Sequence, residues 1–211
     1  ILIILVMSEP RIEPIFGTPI YYNEVDNYEK IQKDFDEVIE STRDGDLGGR
    51  SQIQFRMHPE YGQTHYLSDP NSQEHLFQRF ALDNFREEIN RNLKLYCASL
   101  QFEWRPYSIN SSWIALFKNG NFGHCHHHGT ADISGVYYLK KGDLDADDGH
   151  IYFKSPLVQA QTSLCYFGGK IVIPAKQGGL LLFPGWLEHG VNMNNSDEER
   201  ISVSFDITFN R

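Results

Sequence analysis

Hydrophobic positions recur with a helical period in the first half of the chain and alternate in short runs in the second. The clearest helical run covers 74–98. Phe77, Ala81, Phe85, Ile89, Leu93 and Tyr96 make one apolar stripe, with Arg79, Arg86, Glu87, Glu88, Arg91 and Lys94 largely off it. That spacing predicts an amphipathic helix whose stripe must bury itself, most naturally on a sheet. Ile31, Phe35, Val38 and Ile39 predict a second helix over 27–42. Residues 13–22 predict an opening strand, with two prolines suited to a sheet edge. The stretch 45–73 is polar, with Gly, Pro, Ser and Asn throughout, and reads as a long loop: a lid or a surface excursion.

After Pro106 the pattern changes. The runs 111–118, 132–139, 149–153, 163–166, 170–173, 179–183 and 201–209 predict short strands separated by turn residues. The last is the most informative. Ile201, Val203, Phe205, Ile207 and Phe209 share one face; Arg200, Ser202, Ser204, Asp206 and Thr208 share the other. The apolar face should carry the helices, and the polar face should look into a barrel or jelly roll. No repeat, low-complexity segment or linker divides the chain. One domain over 7–211 is expected, with 7–106 as a helical buttress and 107–211 as the β core.

Composition narrows the partners. The 211 residues carry a net charge of −9, which argues against a nucleic-acid backbone as ligand. Cys97, Cys125 and Cys165 are too scattered for a disulfide framework, so reduced thiols in a cytoplasm are expected. Cys125, between two histidines, should point away from them. The apolar start, Ile1 to Met7, is far shorter than the ~20 residues of a membrane span. Residues 1–6 are set aside as upstream of a natural start at Met7. The acidic run 143–149 lacks the spacing of an EF-hand and reads as a solvated turn.

Candidate chemistry lies in two segments. His124, His126 and His128 alternate, so imidazoles on one face of a strand would converge as a metal requires. His189 follows a Pro-Gly turn, and Arg200 and Ser202 follow it at the start of the last strand. A metal with open positions takes a chelating cosubstrate. A guanidinium fork with a nearby hydroxyl could hold that molecule's far carboxylate. The alternative for Arg200 is a surface ion pair with Asp197, Glu198 and Glu199.

Several strings carry a family resemblance. They are Pro14-Ile-Phe-Gly-Thr-Pro19, Trp113, Gly123, His126-His-His128-Gly, Ser134-Gly-Val-Tyr-Tyr138, Ile173-Pro174, Gly179-Leu-Leu-Leu-Phe-Pro184, His189-Gly-Val and Arg200-Ile-Ser-Val-Ser. From Ile12 onward the chain resembles the 2-oxoglutarate/Fe(II) oxygenases of phage and marine bacterial genomes. The resemblance implies a mainly β protein with flanking helices: a double-stranded β-helix (jelly roll, cupin-like) with the N-terminal helices outside one sheet. It implies Fe(II) held by His126 and His189, and 2-oxoglutarate held by Arg200, Ser202 and Tyr138. It also implies hydroxylation of a substrate by O2 with release of succinate and CO2.

One position departs from the superfamily's pattern. His128 stands where a ligand carboxylate is expected, so the third ligand is His128 or, with a local distortion, Asp132. Three neutral ligands also suit zinc. The rival expectations are a cupin-like three-histidine enzyme without 2-oxoglutarate and a non-catalytic jelly-roll module. The remaining expectations are a cytoplasmic protein (the host's cytoplasm if phage-encoded), no membrane, no nucleic acid, and a homodimer as one option. Trp113 and Trp186 are candidate cavity walls.

Overall fold

The computed structural model describes residues 17–26, 28–43, 65–66, 75–141, 149–157 and 169–211. The expected strand at 163–166, Cys165, the acidic turn at 143–148 and nearly all of the 45–73 loop lie outside them.

In chain order the elements are β1 (Tyr21–Glu24), α1 (Tyr28–Arg43), β2 (His65–Tyr66), α2 (Leu76–Arg79), α3 (Asp83–Ser99), β3 (Tyr107–Phe117), β4 (Gly123–His126), β5 (Ile133–Lys140), β6 (Ile151–Lys154), β7 (Lys170–Ile173), β8 (Gly179–Pro184), β9 (His189–Val191) and β10 (Arg200–Phe209). They form two sheets. The larger has the order β1-β8-β5-β10-β3-β2 and the smaller β4-β9-β6-β7. All the pairings are antiparallel. Two antiparallel sheets with few helices make the expected jelly-roll architecture.

Alternation along the strands sorts the core in two. On the outer face of the large sheet, Ile133, Tyr137, Leu180, Leu182, Ile201, Val203, Phe205 and Ile207 pack with Ile31, Phe35, Phe85, Ile89 and Leu93 of the helices. Phe85 meets Phe205 edge-on at 5.8 Å, so the helical stripe lies on the face of β10 from which it was expected to hang. On the inner face, Val136, Tyr138, Leu181 and Phe183 pack with Ile151 and Phe153 of the small sheet. Gly135 sits directly opposite Phe205. A Cβ at Gly135 would meet that ring at 2.2 Å, so the ring occupies the space a side chain would need.

The expected helix over 74–98 is two helices. Phe80 is extended (φ −129°, ψ 146°) and separates α2 from α3. The break turns Leu82 into the core and leaves Ala81 exposed. Its cause is tertiary. Asp34 of α1 accepts hydrogen bonds from Asn84 Nδ2 (2.7 Å) and Phe85 N–H (3.2 Å), so a carboxylate from another helix caps the start of α3. β1 begins later than expected, at Tyr21. Among the described residues no helix is long and apolar enough to cross a membrane.

Candidate metal centre

His126 ends β4 and His189 opens β9, and the two are register partners across the small sheet. His128 lies just beyond β4, where its N–H donates to Gly185 O (2.8 Å) in the turn before β9. This hydrogen bond holds the segment after β4 against the Pro184-Gly185 turn. The imidazole centroids of 126 and 189 are 4.6 Å apart, and those of 128 and 189 are 5.0 Å apart. One ligand atom from each of the three rings lies within 4.8 Å of the others.

Hydrogen bonds at the far side of each ring settle its tautomer. His126 Nδ1 lies 2.8 Å from His124 O, and His189 Nδ1 lies 2.9 Å from Leu187 O. A carbonyl only accepts, so both Nδ1 atoms carry the proton. His128 Nδ1 lies 2.6 Å from Asp206 Oδ1, a carboxylate, and donates likewise. In the neutral form each ring turns a bare Nε2 lone pair inward. His126 Nε2 and His128 Nε2 stand 3.1 Å apart. Lone pairs this close repel unless a cation sits among them, and the donor set fits a divalent metal.

The electrostatics agree. Burial, then the two neighbouring imidazoles, push the His189 pKa down to about 3. Burial likewise lowers that of His126. Both rings are therefore neutral near pH 7, the form that ligates. The sign for stability follows: an unfolded histidine binds its proton near pH 6.5, before folded His189 does. Stability present above that pH is lost as pH falls toward 3. The denaturation midpoint of metal-free protein should drop between pH 7.5 and pH 5, and drop less in His189→Gln. An equal drop in both would contradict the assignment.

At the other end of the same inner face lies Arg200. It is 1% exposed. Its guanidinium is 4.6 Å from the Phe117 ring and 4.9 Å from the Tyr138 ring. Its NH1 donates to Ser202 Oγ at 3.3 Å, while its Nε and the Tyr138 hydroxyl are buried without a hydrogen-bond partner. Burial lowers its pKa. The surface ion pair is not formed: Glu198 pairs with Lys140 (3.2 Å), Glu199 with Lys118 (4.0 Å), and Asp197 accepts from Asn119. β10 and β5 run side by side from Asp206/Ser134 at the histidine end to Ser202/Tyr138 at the arginine end. Between the ends the inner face is apolar, with Val136, Leu181 and Phe183. The site has two polar ends and an apolar middle.

The structure thus brings together His126, His128 and His189, and separately Arg200, Ser202 and Tyr138. It takes Asp132 elsewhere: its Oδ2 accepts from Phe209 N–H (2.8 Å) at the end of β10. Cys125 is part-buried and outside the ligand cluster. Trp113 lies 5.5 Å from His128, while Trp186 is 53% exposed. The residue that sequence reasoning missed is Asp206. Its place on the inward face of β10 was readable, but its meeting with His128 depends on how that segment folds over the large sheet.

Comparison with known proteins bears on this geometry. Residues 111–206, just under half of the chain, match the model of the family described as "Putative 2OG-Fe(II) oxygenase". The match places this segment, and every candidate site residue in it, in the 2OG-Fe(II) oxygenase family of non-haem iron dioxygenases. That family implies Fe(II), 2-oxoglutarate and O2. No curated protein sequence matches significantly.

Three solved structures are similar in fold. A prolyl-4-hydroxylase from Pseudomonas putida aligns with a TM-score of 0.59 at 16% identity, covering 92% of this chain and 94% of its own. The α-ketoglutarate-dependent epimerase SnoN from nogalamycin biosynthesis gives 0.56 at 13%, covering 91% and 77%. A prolyl hydroxylase from Trichoplax adhaerens gives 0.55 at 10%, covering 90% and 83%. Likeness at these identities shows the fold alone, the double-stranded β-helix.

Proposed function

We propose that the protein is an Fe(II)/2-oxoglutarate-dependent dioxygenase that hydroxylates a C–H bond of its substrate and releases succinate and CO2. The observation that carries this reading is Arg200: a fully buried cation, with a free Nε, on the same inner face as three converging imidazole lone pairs. Burying a cation without an anion is costly, so a site of this kind is built for one. A dicarboxylate with a short apolar middle matches the two polar ends and the apolar lining between them.

His126, His128 and His189 would hold the iron through Nε2, each ring fixed by the acceptor at its Nδ1. Arg200, with Ser202, would grip the far carboxylate of 2-oxoglutarate. The Tyr138 hydroxyl, unpartnered beside it, would donate the further hydrogen bond. Phe183 and Phe153 pack on His189 at 4.7 and 6.0 Å and keep water from that flank. Bound Fe(II) with 2-oxoglutarate supplies the dioxygen chemistry; the chain positions both and excludes solvent. The core shared between helices and sheet supports reading 7–211 as one domain. The three scattered cysteines support a cytoplasmic setting.

The test is succinate release. Iron-loaded protein given 2-oxoglutarate in air should form succinate, slowly without its substrate, and none without iron or oxygen. Oxygen uptake without succinate would favour a cupin-like three-histidine enzyme. Metal binding with neither would favour a non-catalytic module.

A further inference from the structure

The superfamily's pattern puts a carboxylate among the ligands, and here that position is His128. The negative charge that a ligand carboxylate brings to iron is therefore missing from the ligand set, yet a carboxylate stands directly behind it. Asp206 Oδ1 is 2.6 Å from His128 Nδ1 and accepts from Ser134 Oγ at 2.7 Å; Oδ2 accepts from Ser111 Oγ at 2.9 Å. The two serines are its register partners on either side, Ser111 on β3 and Ser134 on β5. A carboxylate in the middle of a sheet, with a hydroxyl donor on each flank and an imidazole N–H above it, is held in one orientation by three hydrogen bonds. Burial works against its charged form, but these bonds and His128 together hold its pKa below the ordinary range.

We infer that Asp206 is the positioning residue of the metal centre: it fixes the His128 ring and supplies, from behind it, the negative charge that the three-imidazole set lacks. The inference rests on the metal site of the proposed function. Fe(II) with three neutral imidazoles keeps two positive charges. With Asp206 the cluster keeps one, the same as two imidazoles and a ligand carboxylate. An imidazole whose N–H donates to a carboxylate is also a stronger donor through its other nitrogen. Neither His126 nor His189 has such a partner, since both donate to neutral backbone carbonyls. The assistance is thus confined to the one ring that replaces the expected carboxylate. A structural role alone, tying 127–132 to the sheet, would leave metal affinity unchanged as long as the hydrogen bond survived.

Asp206→Asn separates the two roles, because it keeps shape and an acceptor oxygen but removes the charge. Metal-free protein is titrated with Co(II), whose d–d spectrum reports affinity and ligand field. Asp206→Asn should bind about 10- to 100-fold more weakly than the parent, with an altered d–d spectrum, while keeping a native thermal transition. A second measurement needs no variant: in Zn(II)-loaded protein labelled with 15N at the histidine rings, His128 should show an Nδ1–H proton far downfield. Asp206→Asn binding like the parent, or a His128 Nδ1 without its proton, would overturn the inference while leaving the metal site standing. A parent that binds no Co(II) would overturn the site itself, and this inference with it.

Discussion

Replacing Arg200 with methionine is expected to weaken 2-oxoglutarate binding strongly and to raise the melting temperature of the cosubstrate-free protein. The two effects have one cause. Arg200 is fully buried against Phe117 and Tyr138, its Nε has no acceptor, and no described carboxylate pairs with it. Desolvating an unpaired guanidinium costs several kcal/mol, and an apolar side chain of similar length in such a place is commonly neutral or stabilising by ~1–4 kcal/mol. For a chain of this size each kcal/mol corresponds to ~2–4 °C. Binding should move the other way. Removing one partner of a buried charge pair costs about 2–5 kcal/mol, or roughly 30- to several-thousand-fold in affinity. Metal affinity should not change, since Arg200 lies at the other end of the inner face from the histidines. Scanning calorimetry with cosubstrate titration reads both. A variant less stable than the parent that still bound 2-oxoglutarate would mean that Arg200 is structural.

His189→Ala should remove the metal altogether. His189 closes a triangle with the other two rings, 4.6 and 5.0 Å from them, and packs against Phe183; its neutral form is enforced by burial. Losing it leaves two ligands, two residues apart on one segment. The expected fall in Fe(II) affinity is more than ~100-fold, beyond the range for an outer partner such as Asp206, and succinate formation should be undetectable. The remaining pair, His126 and His128, would keep their Nε2 atoms face to face without a third ligand. Metal analysis after desalting under nitrogen decides it. Stoichiometric iron in His189→Ala would mean that another residue ligates.

These residues differ in how far the sequence reveals them. The period of two in β10 exposed both the face that carries the helices and the face that looks inward, because one side is uniformly apolar and the other uniformly polar. The alternate spacing of the histidines pointed to a cluster, but His128 reaches it from beyond the end of β4, and His124, at the same spacing, lies outside it. What escaped was set by contacts between distant segments. The break before α3 depends on Asp34, reaching across from α1. β4 and β9 are four and three residues long, too short to show a period, and β4 carries a register shift between Gly123 and His126. Asp132 and Asp206 are chemically alike, and their different roles follow from neighbours: Asp132 meets a strand-end amide, while Asp206 meets an imidazole and two hydroxyls. Gly135 looks like any strand glycine until the Phe205 ring is seen to fill its side-chain space.

The most direct test of the whole account is an anaerobic titration of Fe(II)-loaded protein with 2-oxoglutarate, followed in the visible spectrum. Chelation of iron by the keto acid should give a weak, saturable charge-transfer band at one equivalent, present in the parent and absent in Arg200→Met at the same cosubstrate concentration. Iron bound to full stoichiometry with no band at saturating 2-oxoglutarate would contradict the account, because the buried guanidinium and the three imidazoles would then not be the two ends of one site.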